Sequence, residues 1–284
     1  MNWIDKCLGS CEVSDTIVID NSSTDSTVAH IREHYPEGTL IENKSNIGFG
    51  QANNIGIQKA LSEGAEYVFL LNQDAYLDGD CIDNLIKVHK DNPDYGILSP
   101  IHLNGIGTDL DHNFSEYLRN IFSDKLLFDL LTGNTKQVYS LTFVNAAGWL
   151  IPKSTIDRVG LFDPMFFQYG EDENYCQRVR YHGLKIGVVP AASIRHDREN
   201  RIRPDKTRRF DENALERQIK LYLGDVNLEP DYKIKKRIWL NNFLRAAITF
   251  NYQNASTEFK RYRLLCRIIP EIEESRFLNK NNFD

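Results

Sequence analysis

The sequence predicts an α/β fold: a mostly parallel sheet flanked by helices, with a C-terminal helical extension. Three observations carry this. Short apolar, β-branched runs alternate with segments of helical period over the first hundred residues. Two of those runs end in clusters of polar side chains, after Ile19 and after Leu71, where open α/β sheets carry their ligands. From about Asp211 onward only the helical period remains. The 284 residues are 41% hydrophobic and 26% charged, which excludes a disordered or fibrous chain.

Each element has its own signal. Trp3, Ile4, Cys7, Leu8 and Cys11 recur at helical spacing. Thr16–Ile19 is a β-branched strand that leads into the turn-forming run Asp20-Asn21-Ser22-Ser23-Thr24-Asp25. Ser26–Tyr35 reads as a helix stopped by Pro36, and Thr39–Glu42 as a strand. A glycine loop at Asn46–Gly50 opens a helix over Gln51–Glu63. Tyr67–Leu71 is a buried strand ending in Asn72-Gln73-Asp74, followed by a helix over Asp80–Lys90 and a strand over Tyr95–Ser99. Residues 101–137 read as irregular, with a helical patch around Phe114–Leu131. Val138–Val144 reads as a strand, and Asn145–Ile151 is a small-residue apolar stretch around Trp149. Gly170 and three acids precede a helix with Tyr175, Cys176 and Val179 on one side. Lys185–Val189 is a strand ending at Pro190, and Ile194-Arg195-His196-Asp197 follows.

Charge divides the chain. Met1–His196 holds 15 Lys+Arg against 26 Asp+Glu, and Asp197–Asp284 holds 19 against 14. The acidic part is no nucleic-acid surface; the basic part suits a membrane surface, an anionic ligand or the acidic part itself. No apolar run approaches the ~18 residues of a membrane span, and the start lacks the pattern of a signal peptide. Five scattered cysteines predict a reduced, cytoplasmic chain without a disulfide framework or zinc spacing.

Several residues have the chemistry of a site, and each also has a structural reading. Asp74 at a strand end offers a carboxylate to a divalent cation, with Asn72 as a neutral oxygen donor; the same residues form a polar turn. Asp20–Asp25 suits a nucleobase and ribose, or a helix cap. Gly48-Phe49-Gly50 begins like a dinucleotide fingerprint, but Asn53 replaces the third glycine and the loop does not follow the first strand, so a dehydrogenase is disfavoured. Glu171-Asp172-Glu173 complements a helix dipole, yet adjacent carboxylates also raise a pKa toward that of a general base. His196 beside Asp197 is either an ordinary loop histidine or an oriented metal ligand.

Taken in order, Val18–Asp25, Asn46–Asn54, Leu70–Ala75, Asn145–Ile151, Gly160–Asp163, Phe166–Glu173 and Ile194–His196 resemble the family 2 glycosyltransferases, in particular a rhamnosyltransferase-like branch. The resemblance spans about residues 3–197. It implies a GT-A fold over 1–197 with a helical extension over 198–284, a nucleotide-diphosphate sugar donor and an inverting transfer to a saccharide or lipid-linked acceptor in cell-surface polysaccharide synthesis. By the same resemblance Asp20, Asn21, Ser23, Asn46, Gly48, Asn53 and Gln73 would line the nucleotide pocket, and Trp149 would offer an apolar face to a sugar. Asp74 and His196, with Asn72, would hold Mg²⁺ or Mn²⁺, and Asp172 would be the catalytic base with Glu171 beside it. The usual aspartate pair is Asn72 and Asp74 here.

A second departure concerns the sheet. The family begins with an apolar strand before its first helix, whereas here Met1 falls almost on that helix. A gap is therefore expected between two strands, with their backbone groups unpaired. This raises the alternative of an inactive or truncated homologue that acts as a binding or partner protein. In the basic tail, Lys233, Lys235, Lys236 and Arg237 precede Trp239, Leu240, Phe243 and Leu244. Such a helix suits peripheral contact with the inner face of the membrane, or packing on the catalytic domain or on a second copy in a homo-oligomer.

Overall fold

The computed structural model describes residues 3–12, 15–122, 125–198 and 211–281, with the side chains of 119–122, 125 and 127 excepted. The elements run α1 (Ile4–Gly9), β1 (Ile17–Asp20), α2 (Thr27–His34), β2 (Thr39–Glu42), α3 (Phe49–Ser62), β3 (Tyr67–Leu71), β4 (Ala75–Asp78), α4 (Cys81–Asp91) and β5 (Tyr95–Asn104). There follow α5 (His112–Phe122), α6 (Lys125–Thr132), β6 (Tyr139–Leu141), β7 (Gly148–Pro152), α7 (Lys153–Val159), α8 (Glu171–Tyr181) and β8 (Lys185–His196). The chain ends on α9 (Glu212–Gly224), α10 (Tyr232–Ile248) and α11 (Tyr252–Lys280). It divides into two compact units, Met1–Ile202 and Arg203–Asp284.

In the first unit the main sheet has the order β3-β7-β5-β8-β4, with β6 also on β8. The sheet is mixed: β5 and β8 are parallel, while β7, β4 and β6 pair antiparallel with their neighbours. The expected excess of parallel pairing came from the first hundred residues, before the central antiparallel β7. That strand is entirely buried, so its residues show no alternation to read as a strand. β5 and β8 also run on past Pro100 and Pro190, where the sequence reading ends them. Pro100 pairs with Val189 and Ile101 with Ser193, so Pro190, Ala191 and Ala192 form a bulge. A bulge is where a strand tolerates a residue without an N–H. Asn84 of α4 donates to the Ala191 carbonyl at 3.0 Å and fixes the bulge.

Alternation along the strands divides the core. Ile97, Trp149, Ile151, Ile186 and Val188 face Ile57, Ile156, Tyr175 and Val179 from α3, α7 and α8. Leu98, Leu150 and Val189 face Leu85 and Val88 from α4 on the other side. Helices thus cover both faces of the sheet, and apolar burial is the main stabilising term.

β1 and β2 form a separate parallel pair, in register from Ile17↔Thr39 to Asp20↔Glu42. Among the described residues no strand lies between this pair and β3. One helix packs on both sides of the break: Ile57 of α3 shares a cluster with Leu70 of β3, and Gly56 lies against Ile19 of β1. α1 reaches both sides as well. Ile4 and Leu8 pack with Val18 and Ile31; the Cys7 thiol donates to the Asn72 carbonyl at 3.6 Å, and Ser10 Oγ accepts from the Leu77 amide at 3.0 Å. β1 and β3 remain only partly buried despite their apolar sequences. Among the described residues, β1–β2 and β3 thus belong to two separate sheets.

The second unit is built on α11. Its buried stripe Leu264, Leu265, Ile268, Ile269 and Ile272 lies in the same unit as buried Ile219, Leu223 and Val226. Lys220 bonds Glu271 at 3.1 Å, and Arg276 donates to the carbonyls of Leu223, Asp225 and Leu228, fastening the end of α9 and the loop beyond it. Phe243 of α10 meets Phe259 of α11 with ring centroids 5.1 Å apart.

Trp149 is 0% exposed, and truncating a fully buried aromatic side chain costs about 3–5 kcal/mol. Trp149→Ala is therefore expected to lower the unfolding free energy by that amount, read from a lower urea midpoint at unchanged m-value. A loss of under ~1 kcal/mol by chemical denaturation would mean that the indole is not a core group.

Candidate active site

The polar residues singled out in the sequence lie at the ends of β1, β3 and β8 and at the starts of α3 and α8. At the end of β1, Asp20 is buried and its Oδ2 accepts the Ser23 amide at 3.0 Å. Ser23 itself is exposed. Asn21 binds the next loop: its Nδ2 donates to Asn46 Oδ1 at 3.0 Å and to the Gly48 carbonyl at 3.3 Å, and its Oδ1 accepts from the Ile47 amide at 3.0 Å. Asn46 Oδ1 also accepts the Gly48 amide at 2.9 Å. Asp20, Asn21, Ser23, Asn46 and Gly48 therefore form one connected wall.

Gly48 is required there. Its φ is +86°, and an added Cβ would lie 1.9 Å from the Phe167 carbonyl oxygen. Only glycine allows that approach together with that backbone conformation. The contact sets the Asn46–Gly50 motif directly against Phe166–Tyr169, more than a hundred residues away in sequence. Asn53 donates to the Phe49 carbonyl of its own helix at 2.9 Å, so its amide nitrogen is engaged in α3. Its neighbour Asn54 pairs with both the amide and the carbonyl of Phe162, at 2.8 and 2.9 Å.

β3 ends at the second polar cluster. Gln73 is exposed; Asn72 is half-buried, with its backbone amide on the Ala147 carbonyl at 3.1 Å. Asp74 is 1% exposed, as is His196. Register explains their meeting: Ala75 of β4 stands opposite His196 of β8, and the Asp197 amide donates to the Asp74 carbonyl at 2.8 Å. His196 Nε2 lies 3.6 Å from Asp74 Oδ1. That is too long for a hydrogen bond and slightly longer than the separation, about 3 Å, of two adjacent donors on one small cation.

The sequence reading missed what stands behind this pair. His196 Nδ1 is 4.0 Å from Asp111 Oδ2 and has no hydrogen-bond partner among the described residues. Asp111 is 4% exposed and is gripped by Arg198, with Nε at 2.7 Å from Oδ2 and Nη2 on Oδ1, and by the Phe114 amide at 3.0 Å. Burial alone would raise its pKa, but Arg198 and the Phe114 amide outweigh burial and hold it below the usual carboxylate range. His102 stacks on Phe114 at 4.7 Å and bonds Ser99 Oγ at 3.1 Å. Burial holds its pKa down at about 3, so it is neutral.

The acidic triplet at the start of α8 separates into three environments. Glu171 is buried, its Cβ 3.4 Å from where a Cβ on Gly50 would stand. Glu173 is exposed. Asp172 lies between them, half-buried at its own surface and enclosed by surrounding atoms, with Oδ1 accepting the Glu173 amide at 2.8 Å. Desolvation pushes its pKa up to about 6; Glu173's charge adds to this, while amides including that of Ala146 oppose it. Tyr117 of α5 joins this group to the histidine side. Its hydroxyl is pushed up to about 12, first by burial and then by the charge of Asp172, and it also feels Arg198 and Asp111.

Trp149 does not line the site. It is fully buried in β7, 6.2 Å from Phe162 and 6.0 Å from Tyr175 between ring centroids. The sugar-facing role suggested by the resemblance is corrected: as a residue of a strand covered on both faces, it belongs to the core. Among the described residues no three His, Cys, Asp or Glu side chains converge tightly enough to hold a metal alone. Asp74 and His196, each 1% exposed, are a carboxylate and an imidazole, two donors of the kinds that bind a divalent cation. Among the described residues, the side chain of Asn72 has no hydrogen bond that ties it to this pair.

Known proteins place the chain. The family model described as glycosyl transferase family 2 matches residues 3–152. The low-salt glycan biosynthesis hexosyltransferase Agl10 of Haloferax volcanii is 26% identical over 189 residues, 65% of this chain and 59% of that protein. The dTDP-rhamnosyl transferase RfbF of Shigella flexneri is 24% identical over 180 residues, 63% of this chain and 58% of its own length. The chain thus spans less than two thirds of either relative. Among solved structures, the mannosyltransferase PcManGT of Pyrobaculum calidifontis, in complex with GDP-Man and Mn²⁺, matches with a TM-score of 0.52 at 15% identity, covering 100% of this chain and 84% of that one. That likeness is one of fold. With the family model covering more than half of its length, and the motifs meeting at one end of a GT-A sheet, this chain belongs to glycosyl transferase family 2.

Proposed function

We propose that the chain is an inverting glycosyltransferase. It moves a sugar from a nucleotide-diphosphate donor to a hydroxyl of a saccharide or lipid-linked acceptor, in the assembly of a cell-surface polysaccharide. One observation carries the reading: strand register brings the buried Asp74 and His196 to 3.6 Å from each other, and the start of α8 in the same unit holds the enclosed carboxylate of Asp172. Proton acceptance and charge stabilisation are the two functions that direct displacement needs. The names of the relatives support a hexosyl or rhamnosyl donor.

The proposed roles are these. The wall of Asp20, Asn21 and Asn46 would bound the base and ribose, its shape fixed by the bonds of Asn21 and Asn46 to each other and to the Gly48 backbone. Asp74 and His196 would hold Mg²⁺ or Mn²⁺, which would supply Lewis-acid stabilisation of the departing diphosphate. Asp111 Oδ2 stands 4.0 Å from His196 Nδ1, beyond hydrogen-bond distance, while Nε2 faces Asp74 at 3.6 Å; the negative charge of Asp111 behind the ring would favour the metal that Asp74 and His196 hold. Asp172 takes the proton from the acceptor hydroxyl as its oxygen attacks the anomeric carbon, opposite the leaving group. One inversion results, and no covalent nucleophile is required.

The separation of β1–β2 and β3 into two sheets favours a second reading, an inactive glycosyltransferase homologue that acts as a binding or partner protein. Calorimetry with UDP, GDP or dTDP and Mn²⁺ separates the two. Metal-dependent binding to the unaltered chain is expected, and absence of binding to all three selects the second reading.

Asp172→Asn is expected to lower turnover about 10²–10⁴-fold while sparing donor affinity. Below pH 6 the Asp172 carboxyl is protonated and cannot accept a proton, so kcat/KM should rise through about pH 6 and the variant should lack that limb. An Asp172→Asn enzyme with unaltered turnover removes Asp172 as the base. Asp111→Asn should weaken Mn²⁺ binding about 10–100-fold in the presence of nucleoside diphosphate. Calorimetric Mn²⁺ affinity unchanged in a folded variant would leave Asp111 with a structural role alone.

A further inference from the structure

α10 is half a core helix. Across its 17 residues there is no Asp or Glu, and only Ala246 is fully buried. Its inward side is occupied: Phe243 packs on Phe259, and Lys235 lies over the rings of Tyr222 and Trp239, 5.5 Å from each centroid. The outward side follows the helical period. Ile234, Ile238 and Ile248 are 47%, 47% and 76% exposed, and Leu244 is also exposed. Lys233, Arg237 and Arg245 are interleaved with them on the same exposed face. Past the helix end, Phe250 and Tyr252 are 74% and 73% exposed.

This combination is unusual for a water-facing helix surface, which carries mixed charges and few large apolar groups. The acids at its N-terminal end are already engaged: Asp231 caps the Ile234 amide at 2.8 Å, and Glu229 pairs with Lys280 at 2.7 Å. A second copy meeting this face about a two-fold axis would set cations against cations with no carboxylate on the helix to answer them. A surface of fixed negative charge over an apolar interior meets both features at once: phosphates for the cations, acyl chains for the isoleucines, and the interfacial layer for the aromatic pair.

We propose that the outward face of α10, continued by Phe250 and Tyr252, is a docking surface for an anionic lipid bilayer. The chain would lie on the membrane without crossing it; among the described residues no helix is long and apolar enough to span one. This inference stands apart from the catalytic reading. Where that reading holds, the surface brings the enzyme to the plane in which lipid-linked acceptors lie.

The test is flotation of the full chain with vesicles of phosphatidylcholine alone, or with about 30 mol% phosphatidylglycerol. The chain is expected to float only with the anionic vesicles, and less in about 0.5 M NaCl, which screens the charges. The double variants Arg237→Glu/Arg245→Glu and Ile238→Asp/Ile248→Asp should each reduce the bound fraction at least about tenfold. Their helix content by circular dichroism and their calorimetric nucleotide binding should be unchanged. No flotation of the unaltered chain, or equal flotation of both variants, overturns the proposal and leaves the transferase reading untouched. A chain that sediments as a dimer, becomes a monomer in the isoleucine variant and ignores vesicles assigns the face to a second copy and overturns it as well.

Discussion

The site depends on how Arg178 and Asn54 hold the segment between α7 and α8. Arg178 is 1% exposed, and an unpaired guanidinium so buried would be prohibitive. Its charge is dispersed over carbonyls instead: Nη1 donates to Val159 at 2.9 Å and Nη2 to Leu161 at 2.7 Å, while Nε bonds Asn174 Oδ1 at 3.1 Å. The guanidinium also lies 4.9 Å from the centroid of the Tyr175 ring, whose hydroxyl reaches the Gly160 carbonyl at 3.1 Å. From the other side Asn54 takes both backbone groups of Phe162. A loop without regular structure is thereby satisfied almost as fully as a strand. Because α3 supplies one clamp and α8 the other, the N-termini of these two helices cannot move independently. Those termini carry Gly48 and Asp172.

The second constraint is register. Asp74 and His196 are 122 residues apart in sequence, and they meet because β4 pairs with β8 at Ala75↔His196. The bulge at Pro190–Ala192 makes this pairing possible. Before it β8 pairs with β6, and after it with β4, while β5 accompanies it throughout. Slipping the second half by one residue would turn His196 to the opposite face. Asn84, which fixes the Ala191 carbonyl, is thus part of what places a histidine five residues further along the same strand, although it is not itself one of the site residues.

What could be read from the sequence follows from this physics. β1, β2 and β3, with the helices after them, were legible because their apolar runs are short and end at turn-forming residues. Asp74, His196 and Asp172 were legible through ordered motifs rather than through periodicity. β7 was not, because a strand covered on both faces has no alternation, and Trp149 within it looked like a site aromatic for the same reason. β4 was hidden in the turn after the site, and Pro100 and Pro190 were read as strand ends where the second marks a bulge. Asp111 and Arg198 left no signal. Each lies in an irregular stretch, and their pairing is a tertiary fact with no sequence spacing behind it. Gly48, by contrast, was visible as a glycine, but its reason, the Phe167 carbonyl against its α-carbon, was not.

The acidic triplet shows how one motif resolves into separate physics. Read as a string, Glu171-Asp172-Glu173 is three equivalent charges at a helix start, where the dipole favours anions by about 0.3–1 kcal/mol each. In the fold that equivalence is gone. Glu171 is drawn into the contact with α3, Glu173 stays in water, and Asp172 is enclosed. For Asp172 two effects compete: the helix start and nearby amides favour the ionised form, and desolvation with the Glu173 charge disfavours it. Desolvation wins, since the pKa rises to about 6 despite the amides. The balance has a chemical consequence. A carboxylate at 3.8 would be ionised but a feeble proton acceptor, and one above 8 would be protonated at neutral pH; at about 6 it is both ionised and basic. Helix capping does not require that value, and it is the burial of one carboxylate among three that produces it.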